Sequence, residues 1–483
     1  MSTLSRVLDA QPVLDLDAYA AAGGGSALEA ALRLGPAATI EEVEASGLRG
    51  RGGAGFPTGR KWRTVFDHAA GAMPATVVIN ASEGEPGSFK DRMLLRRNPY
   101  RILEGALVAA HTVGADSIVV ALKASFHPEL GRVRQAIDEV KQAGWTRDVG
   151  VAVVEGPSEY LYGEETALLE VIDGRAPFPR IAPPYRHGVD EIGTQPGSTA
   201  GTMMADPGLG SAVPPTLVNN AESMAHVPLI LAQGPDWFRE LGTPDSPGTL
   251  VCTVTGSTRR HGVGEFPMGT PLSEVIEALG GGARSGGIQA VLSGVAHPLL
   301  PGSALDTPVS FEGMDAAGAG LGAAGFIVFD EADDLVAVAQ GVAGFLAVES
   351  CGQCTPCKQD GLAIAEILER LCRSEGTEPD LTDLADRVAT VTDESRCYLA
   401  TQQQRVVGSL LQLFPDTLPV RLRDAGQAPV EAVLIAPIRD LDGDRATLDE
   451  SHRRKQPDWS YDEEPSGQSP ADRLDQRVGT PSR

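Results

Sequence analysis

Three of the six cysteines in this 483-residue chain fall within seven residues, Cys351-x-x-Cys354-x-x-Cys357, and Cys397 follows further along. This is the strongest constraint in the sequence, because the fold must bring a tight loop and a distant segment to one point. Disulfide frameworks are spread along short secreted chains, so bunching in a long one indicates a metal centre. Three thiolates in one loop with a fourth from elsewhere are what a [4Fe-4S] cube requires. Zinc is the rival, since a four-cysteine set also suits it, but structural zinc usually takes two separated C-x-x-C pairs. The other two cysteines read as core. Cys252 shares a strand face with Leu250 and Val254, and Cys372 follows Ile364, Ile367, Leu368 and Leu371 at helical spacing.

At roughly 150 residues per domain the length allows about three domains. Apolar runs at residues 76–79, 117–122 and 149–154 alternate with helical periods at 132–143 and 164–172, the signature of an α/β fold with a mainly parallel sheet. Near residue 248 the texture changes to strand, helix, strand, ending at 326–329, and from 342 to 413 it becomes helical. The resulting division is a lead-in at 1–39, domains at 40–247, 248–335 and 336–420, and a polar, Pro-punctuated tail at 421–483 that reads as poorly ordered. Residues 183–215, rich in Gly, Pro, Ser and Thr, read as a long surface loop. With 65 Asp+Glu against 40 Lys+Arg, a net charge of −25, the chain repels phosphate backbones and anionic membranes, which argues against nucleic acid as a partner. No run approaches eighteen apolar residues, and acids interrupt the amino terminus where a signal peptide needs an apolar core, so a cytoplasmic protein without direct membrane insertion is expected.

Three further segments carry chemistry. The run GLRGRGGAGFPTGRKW (47–62) combines glycines, which let backbone N–H groups approach a phosphate, with Arg49, Arg51, Arg60 and Lys61. It contains G-x-G-x-x-G, but a helical stretch precedes it and Pro57 follows, so the strand-before, helix-after context of a dinucleotide fingerprint is missing. A phosphate-bearing ligand and a structural glycine turn both remain open. The run NASEGEPGSFKDR (80–92) directly follows an apolar strand, where parallel sheets place ligands; a solvated acidic turn is the plainer alternative. In YLYGEETALLE (160–170), Glu164 and Glu165 open a helix and suit its N-terminus whether or not they touch a ligand.

Taken in order with PTLVNNAES (215–223) and ESCGQCTPC (349–357), these segments resemble the flavoprotein component of respiratory NADH dehydrogenase. This is the family of complex I 51 kDa proteins or F-subunits, shared with diaphorase subunits of NAD-linked hydrogenase and formate dehydrogenase. The resemblance spans about residues 40–416. It implies a Rossmann-like α/β FMN-binding domain, then a β-grasp, soluble-ligand-binding domain and a helical iron-sulfur domain. By that resemblance Gly50, Arg51, Gly52, Gly53 and Lys61 would wrap the FMN phosphate and ribityl chain. Asn80, Ser82, Glu83, Tyr160, Gly163, Asn219 and Asn220 would complete the flavin site, and Phe56, Glu85, Glu164, Glu165 and Tyr185 would line the NADH side. Cys351, Cys354, Cys357 and Cys397 would hold the [4Fe-4S] cluster. It also implies a small thioredoxin-like [2Fe-2S] subunit and further electron-transfer subunits as partners, through which the chain could stand at the inner face of a membrane. Ser82, Tyr162, Ser223 and Thr64 depart from the family pattern, the 184–215 loop is longer than usual, and the surroundings of Cys397 match poorly. The expected activity is hydride transfer from NADH to FMN, then single electrons to the cluster and onward, with no catalytic acid or base. The alternative is a scaffold or regulatory iron-sulfur protein without turnover.

Overall fold

The computed structural model describes residues 3–69, 74–181 and 215–478. The long loop expected at 183–215, apart from Pro215, lies outside the described residues, as does Tyr185. The chain divides into two compact units, one of residues 5–83, 91–248 and 473–483, the other of residues 1–4, 84–90 and 249–472.

The first unit is built on four parallel strands, β1 (Ala75–Asn80), β2 (Ala115–Lys123), β3 (Gly150–Gly156) and β4 (Thr216–Asn220), in the order β3-β2-β1-β4. Val77 to Ile79 and Ile118 to Leu122 are buried without alternation, as befits a sheet covered on both faces. Val78, Val119, Ala121 and Val218 share a core with Tyr162, Leu168 and Leu169 of the following helical segment. The Pro99–Val113 helix, capped by the Asn98 side chain, packs on β1 and β2. From it the buried Glu104 carboxylate accepts from Tyr19 Oη (2.6 Å) and the N–H groups of Gly25, Ala27 and Leu28, which ties down the helical lead-in. The chain leaves β1 for β2 on one side and returns with β4 on the other. This reversal opens a crevice at the carboxyl ends of β1 and β4, the place where open α/β sheets bind ligands.

The second unit contains a five-stranded mixed sheet of β5 (Thr249–Gly256), β6 (Gly262–Pro267), β7 (Ile288–Ser293), β8 (Leu300–Pro301) and β9 (Gly325–Asp330), ordered β6-β5-β9-β7-β8. Its central pair β5 and β9 is parallel and the other pairs are antiparallel. With the Leu272–Gly280 helix packed on β5 and β6, this is the β-grasp arrangement. Cys252 is fully buried in its core, and Cys372 is buried in a helix as expected. The helices Leu335–Glu349, Thr355–Cys372, Glu378–Thr390 and Leu399–Leu413 form the helical part.

The segment after residue 420 corrects the expectation of a poorly ordered tail. It forms a hairpin of β10 (Ile438–Asp442) and β11 (Arg445–Leu448), and beyond it buries Lys455, Asp458 and Trp459. Polar composition is misleading here because these polar groups are buried with specific partners. Among the described residues no helix is long and apolar enough to cross a membrane.

Candidate functional site

The crevice is defined by two asparagines that end adjacent strands in register, Asn80 opposite Asn220, with Asn219 one position earlier. Each is fixed by a specific bond. Asn80 donates through Nδ2 to Gly163 O (2.9 Å), while its Oδ1 accepts from the Ser82 hydroxyl (2.7 Å) and N–H (3.2 Å). Asn219 Oδ1 accepts from Trp62 Nε1 (3.0 Å). Asn220 caps the Ala221–Gln233 helix and donates to Asp91 Oδ2 (2.6 Å). Glu83 accepts from the N–H groups of Asp91 (3.3 Å) and Arg92 (3.2 Å), so its carboxylate shapes the start of the Lys90–Arg97 helix.

The glycine run forms a loop between the Pro36–Ser46 and Thr58–Ala69 helices, so no strand precedes it, as expected, but a helix does follow directly after Pro57, which corrects the expectation that the helix-after context is missing. It lies against Asn220: a Cβ on Gly52 would stand 3.1 Å from the Asn220 Cβ, and Gly53 has φ +121°, a conformation that L side chains rarely adopt. Arg51 anchors the loop from within. Its N–H donates to Ser223 Oγ (2.8 Å) and its guanidinium to Arg49 O and Pro247 O; burial lowers it to about 10. Arg51 therefore stands beneath the loop; the Gly50 N–H is taken by Phe56 O (2.9 Å), and Gly52 and Gly53 are the glycines with accessible backbone. Lys61 bonds Glu165 (2.5 Å) and Val218 O (2.8 Å). Glu164 caps the Glu165–Ile172 helix by accepting from the N–H groups of Thr166 and Ala167, and burial raises its pKa. Tyr160 and Gly163 bound the short 3-10 turn just before it. Phe56 is 47% exposed at the loop's end, with the Arg60 guanidinium 5.8 Å from its ring centre. Backbone amides, asparagine amides and a lysine at a strand-end crevice suit a phosphate-bearing flavin.

Glu85 belongs to the second unit, where its carboxylate accepts from the Val295 N–H (2.6 Å) in the turn after β7. Trp62, Asp91 and Ser223 are site residues beyond those expected from the sequence. All three lie inside the motif segments, but only their hydrogen bonds show what they hold: Asn219, Asn220 and the Arg51 backbone.

The cysteine loop lies in the second unit. Cys354 occupies the N-cap position of the Thr355–Cys372 helix, without a side-chain capping bond, and Cys357 sits in its first turn. Burial lifts Cys351 to about 11 and also raises Cys357, with the neighbouring thiols adding to both. Ser350 Oγ stands 3.4 Å from Cys357 Sγ. Crowded, desolvated thiols of this kind ionise only against a compensating cation such as cluster iron, so the set fits a metal cluster. Cys397 is partly exposed two residues before the Leu399–Leu413 helix, which packs against the Thr355–Cys372 helix. Among the described residues, no three His, Cys, Asp or Glu side chains are drawn together as around a single metal ion.

Residues 43–229 match the family model of the Nuo51 FMN-binding domain, and residues 337–420 match the NADH-ubiquinone oxidoreductase-F iron-sulfur binding region. The NADH-quinone oxidoreductase F-subunit of Rickettsia typhi is 33% identical over 400 residues, covering 80% of this chain and 90% of its own. The chain belongs to the family of NADH-quinone oxidoreductase F-subunits. The F-subunit numbered 2 in Rhizobium meliloti is 36% identical over 383 residues, covering 76% of this chain and 85% of its own. A crystal structure of an NAD+-reducing [NiFe]-hydrogenase in the H2-reduced state superimposes with a TM-score of 0.73 at 32% identity, over 87% of this chain and 67% of that one. In this F-subunit the FMN-binding match takes in the glycine loop and all three asparagines, and the iron-sulfur match takes in all four cysteines.

Proposed function

We propose that this chain is an electron-input subunit that oxidises NADH at FMN and passes single electrons through a [4Fe-4S] cluster to a partner. The observation that carries this is the strand-end crevice of Asn80, Asn219 and Asn220 beneath the glycine loop, in a chain whose other unit holds the three-cysteine loop. FMN, when bound, supplies the conversion between a two-electron hydride donor and a one-electron cluster. The residues of this chain bind and orient. Gly52 and Gly53 offer backbone to the flavin, supported by Gly50 and Arg51, and Lys61, Asn80, Asn219 and Asn220 hold its polar edges. Ser82, Glu83, Tyr160 and Gly163 fix the surrounding turns. Phe56, Glu164 and Glu165, with Glu85 and Tyr185, are assigned to the NADH side. Hydride transfer depends on ring orientation rather than on a protein acid or base, so no residue receives a catalytic role.

The four thiolates Cys351, Cys354, Cys357 and Cys397 are assigned to the cluster. Electrons then leave through a small thioredoxin-like [2Fe-2S] subunit and further electron-transfer subunits, the assembly standing on the cytoplasmic side. A quinone complex, a hydrogenase and a formate dehydrogenase are the acceptor classes the family resemblance allows. An anaerobic visible spectrum tests the reading: flavin bands and a broad iron-sulfur shoulder should bleach on adding NADH. The same bands left unbleached would indicate the scaffold alternative, and a colourless protein would refute both.

A further inference from the structure

The residues after β11 converge on the cysteine loop from several directions. The Ala471 N–H donates to Cys351 O (2.9 Å), and Ser469 lies so close to Gly352 that a Cβ there would stand 2.3 Å from the serine Cβ. Trp459 Nε1 donates to Val348 O (3.0 Å). Lys455 and His452 both reach the buried Glu349 carboxylate, at 2.7 and 3.1 Å, and the His452 ring stacks on Phe345. Between these anchors the Asp458 carboxylate gathers the N–H and hydroxyl of Ser460 and the N–H of Ser466, which sets the turn.

One side chain ties this segment to the thiols. Lys358, next in sequence to Cys357, is 7% exposed. Its Nζ donates to three carbonyls, Ala347 O (2.9 Å), Ser350 O (2.9 Å) and Pro457 O (2.6 Å). Only a protonated lysine has three donors. Two acceptors belong to the helix end that precedes Cys351, and the third comes from the carboxyl-terminal segment. Burial lowers the Lys358 pKa to about 8, and Cys351, Cys357, Glu349 and Asp458 act against that to favour the charged form; Glu349 is itself paired with Lys455.

We propose that residues 449–472 are a built wall of the cluster site, which encloses the cysteine loop and fixes Lys358 there as a cation, making the cluster easier to reduce and harder to strip. The proposal rests on the cluster assignment above. Net charge, hydrogen bonding and solvent access are the levers by which a protein sets a cluster's potential; here Lys358 supplies the charge, while residues 449–472 hold it through Pro457 O and bond and cover the loop backbone. Lys358 is thus a positioning residue, acting through its charge and its bonds to three backbone carbonyls.

The test uses purified full-length holoprotein. Iron is assayed first; a wild-type chain without iron would overturn the cluster assignment itself. Reduction of the cluster is then followed by electron paramagnetic resonance against applied potential. Lys358→Met should lower the midpoint by about 59 mV, a tenfold loss in the reduced-to-oxidised ratio for a one-electron couple, while Lys358→Arg should stay near wild type. A Lys358→Met midpoint equal to wild type would overturn the proposal. Lys455→Met, which keeps Lys358 and releases the wall from Glu349, should lose iron to a chelator several-fold faster, and an unchanged rate would equally overturn it. Should Lys358→Met take up no cluster, the chelation arm decides alone.

Discussion

Glu164 and Glu165 are neighbours in sequence but differ in what they can offer a coenzyme. Glu164 is occupied in capping its helix and is pushed toward the neutral form by burial, whereas Glu165 is one-third exposed and paired with Lys61. On the proposed assignment of this pair to the NADH side, Glu165 is the carboxylate that would oppose an added 2′-phosphate, with Lys61 moderating its charge. Glu165→Gln should lower the ratio of kcat/KM for NADH over NADPH by about tenfold, roughly 1.4 kcal/mol. An unchanged ratio would remove Glu165 from coenzyme choice. His297 offers a second test at this scale. Burial, aided by Arg405, lowers it to about 4, and its Nδ1 has no partner. Below pH 6.5 the unfolded chain takes up a proton that the folded chain refuses. Its contribution is thus fully present above about pH 6.5 and is lost as pH falls toward 4, by up to about 3 kcal/mol. The thermal midpoint should fall between pH 7 and pH 5 more steeply in wild type than in His297→Phe; equal slopes would show that His297 is not responsible.

Among the elements, the glycine loop makes the sharpest demand on sequence. Valine at position 52 would press on Asn220, and at position 53 it would impose a β-branched side chain on a positive φ. Either substitution should leave a folded protein that loses FMN on purification, and normal flavin stoichiometry in both would make the loop structural only. The loop, the first three strands and the helical cysteine segment are legible in the sequence because glycine runs, unbroken apolar runs and cysteine spacing are local signals. β4 stands out as a motif but not as a strand, since five residues ending in two asparagines carry too little apolar pattern. The tail misleads for the opposite reason. Lys455, Asp458 and Trp459 look like solvent-facing residues until their partners Glu349, Ser460 and Val348 are known.

In the molecule as a whole, the cysteines sort by what surrounds them rather than by type. Cys252 and Cys372 lie in packed cores, while Cys351, Cys354 and Cys357 crowd one loop and helix start. Serine at 351, 354, 357 or 397 should lower iron content, because a hydroxyl replaces thiolate poorly, and serine at 252 or 372 should retain it. Full iron in Cys397→Ser would remove Cys397 as the fourth ligand.

The division of the chain has a bearing on how such a protein can be taken apart. Leu4 and residues 84–90 belong with the β-grasp sheet, where the Leu4 N–H bonds Glu265 O and the Phe89 N–H bonds Thr253 Oγ1. No single cut in the gene therefore yields two complete halves. A piece beginning at residue 249 lacks two patches of its own sheet, and a piece ending at 248 carries them with nothing to pair. Neither half can be exchanged between homologues as a simple cassette, so recombination within such a family must cross over at matched positions on both sides of the 84–90 insertion.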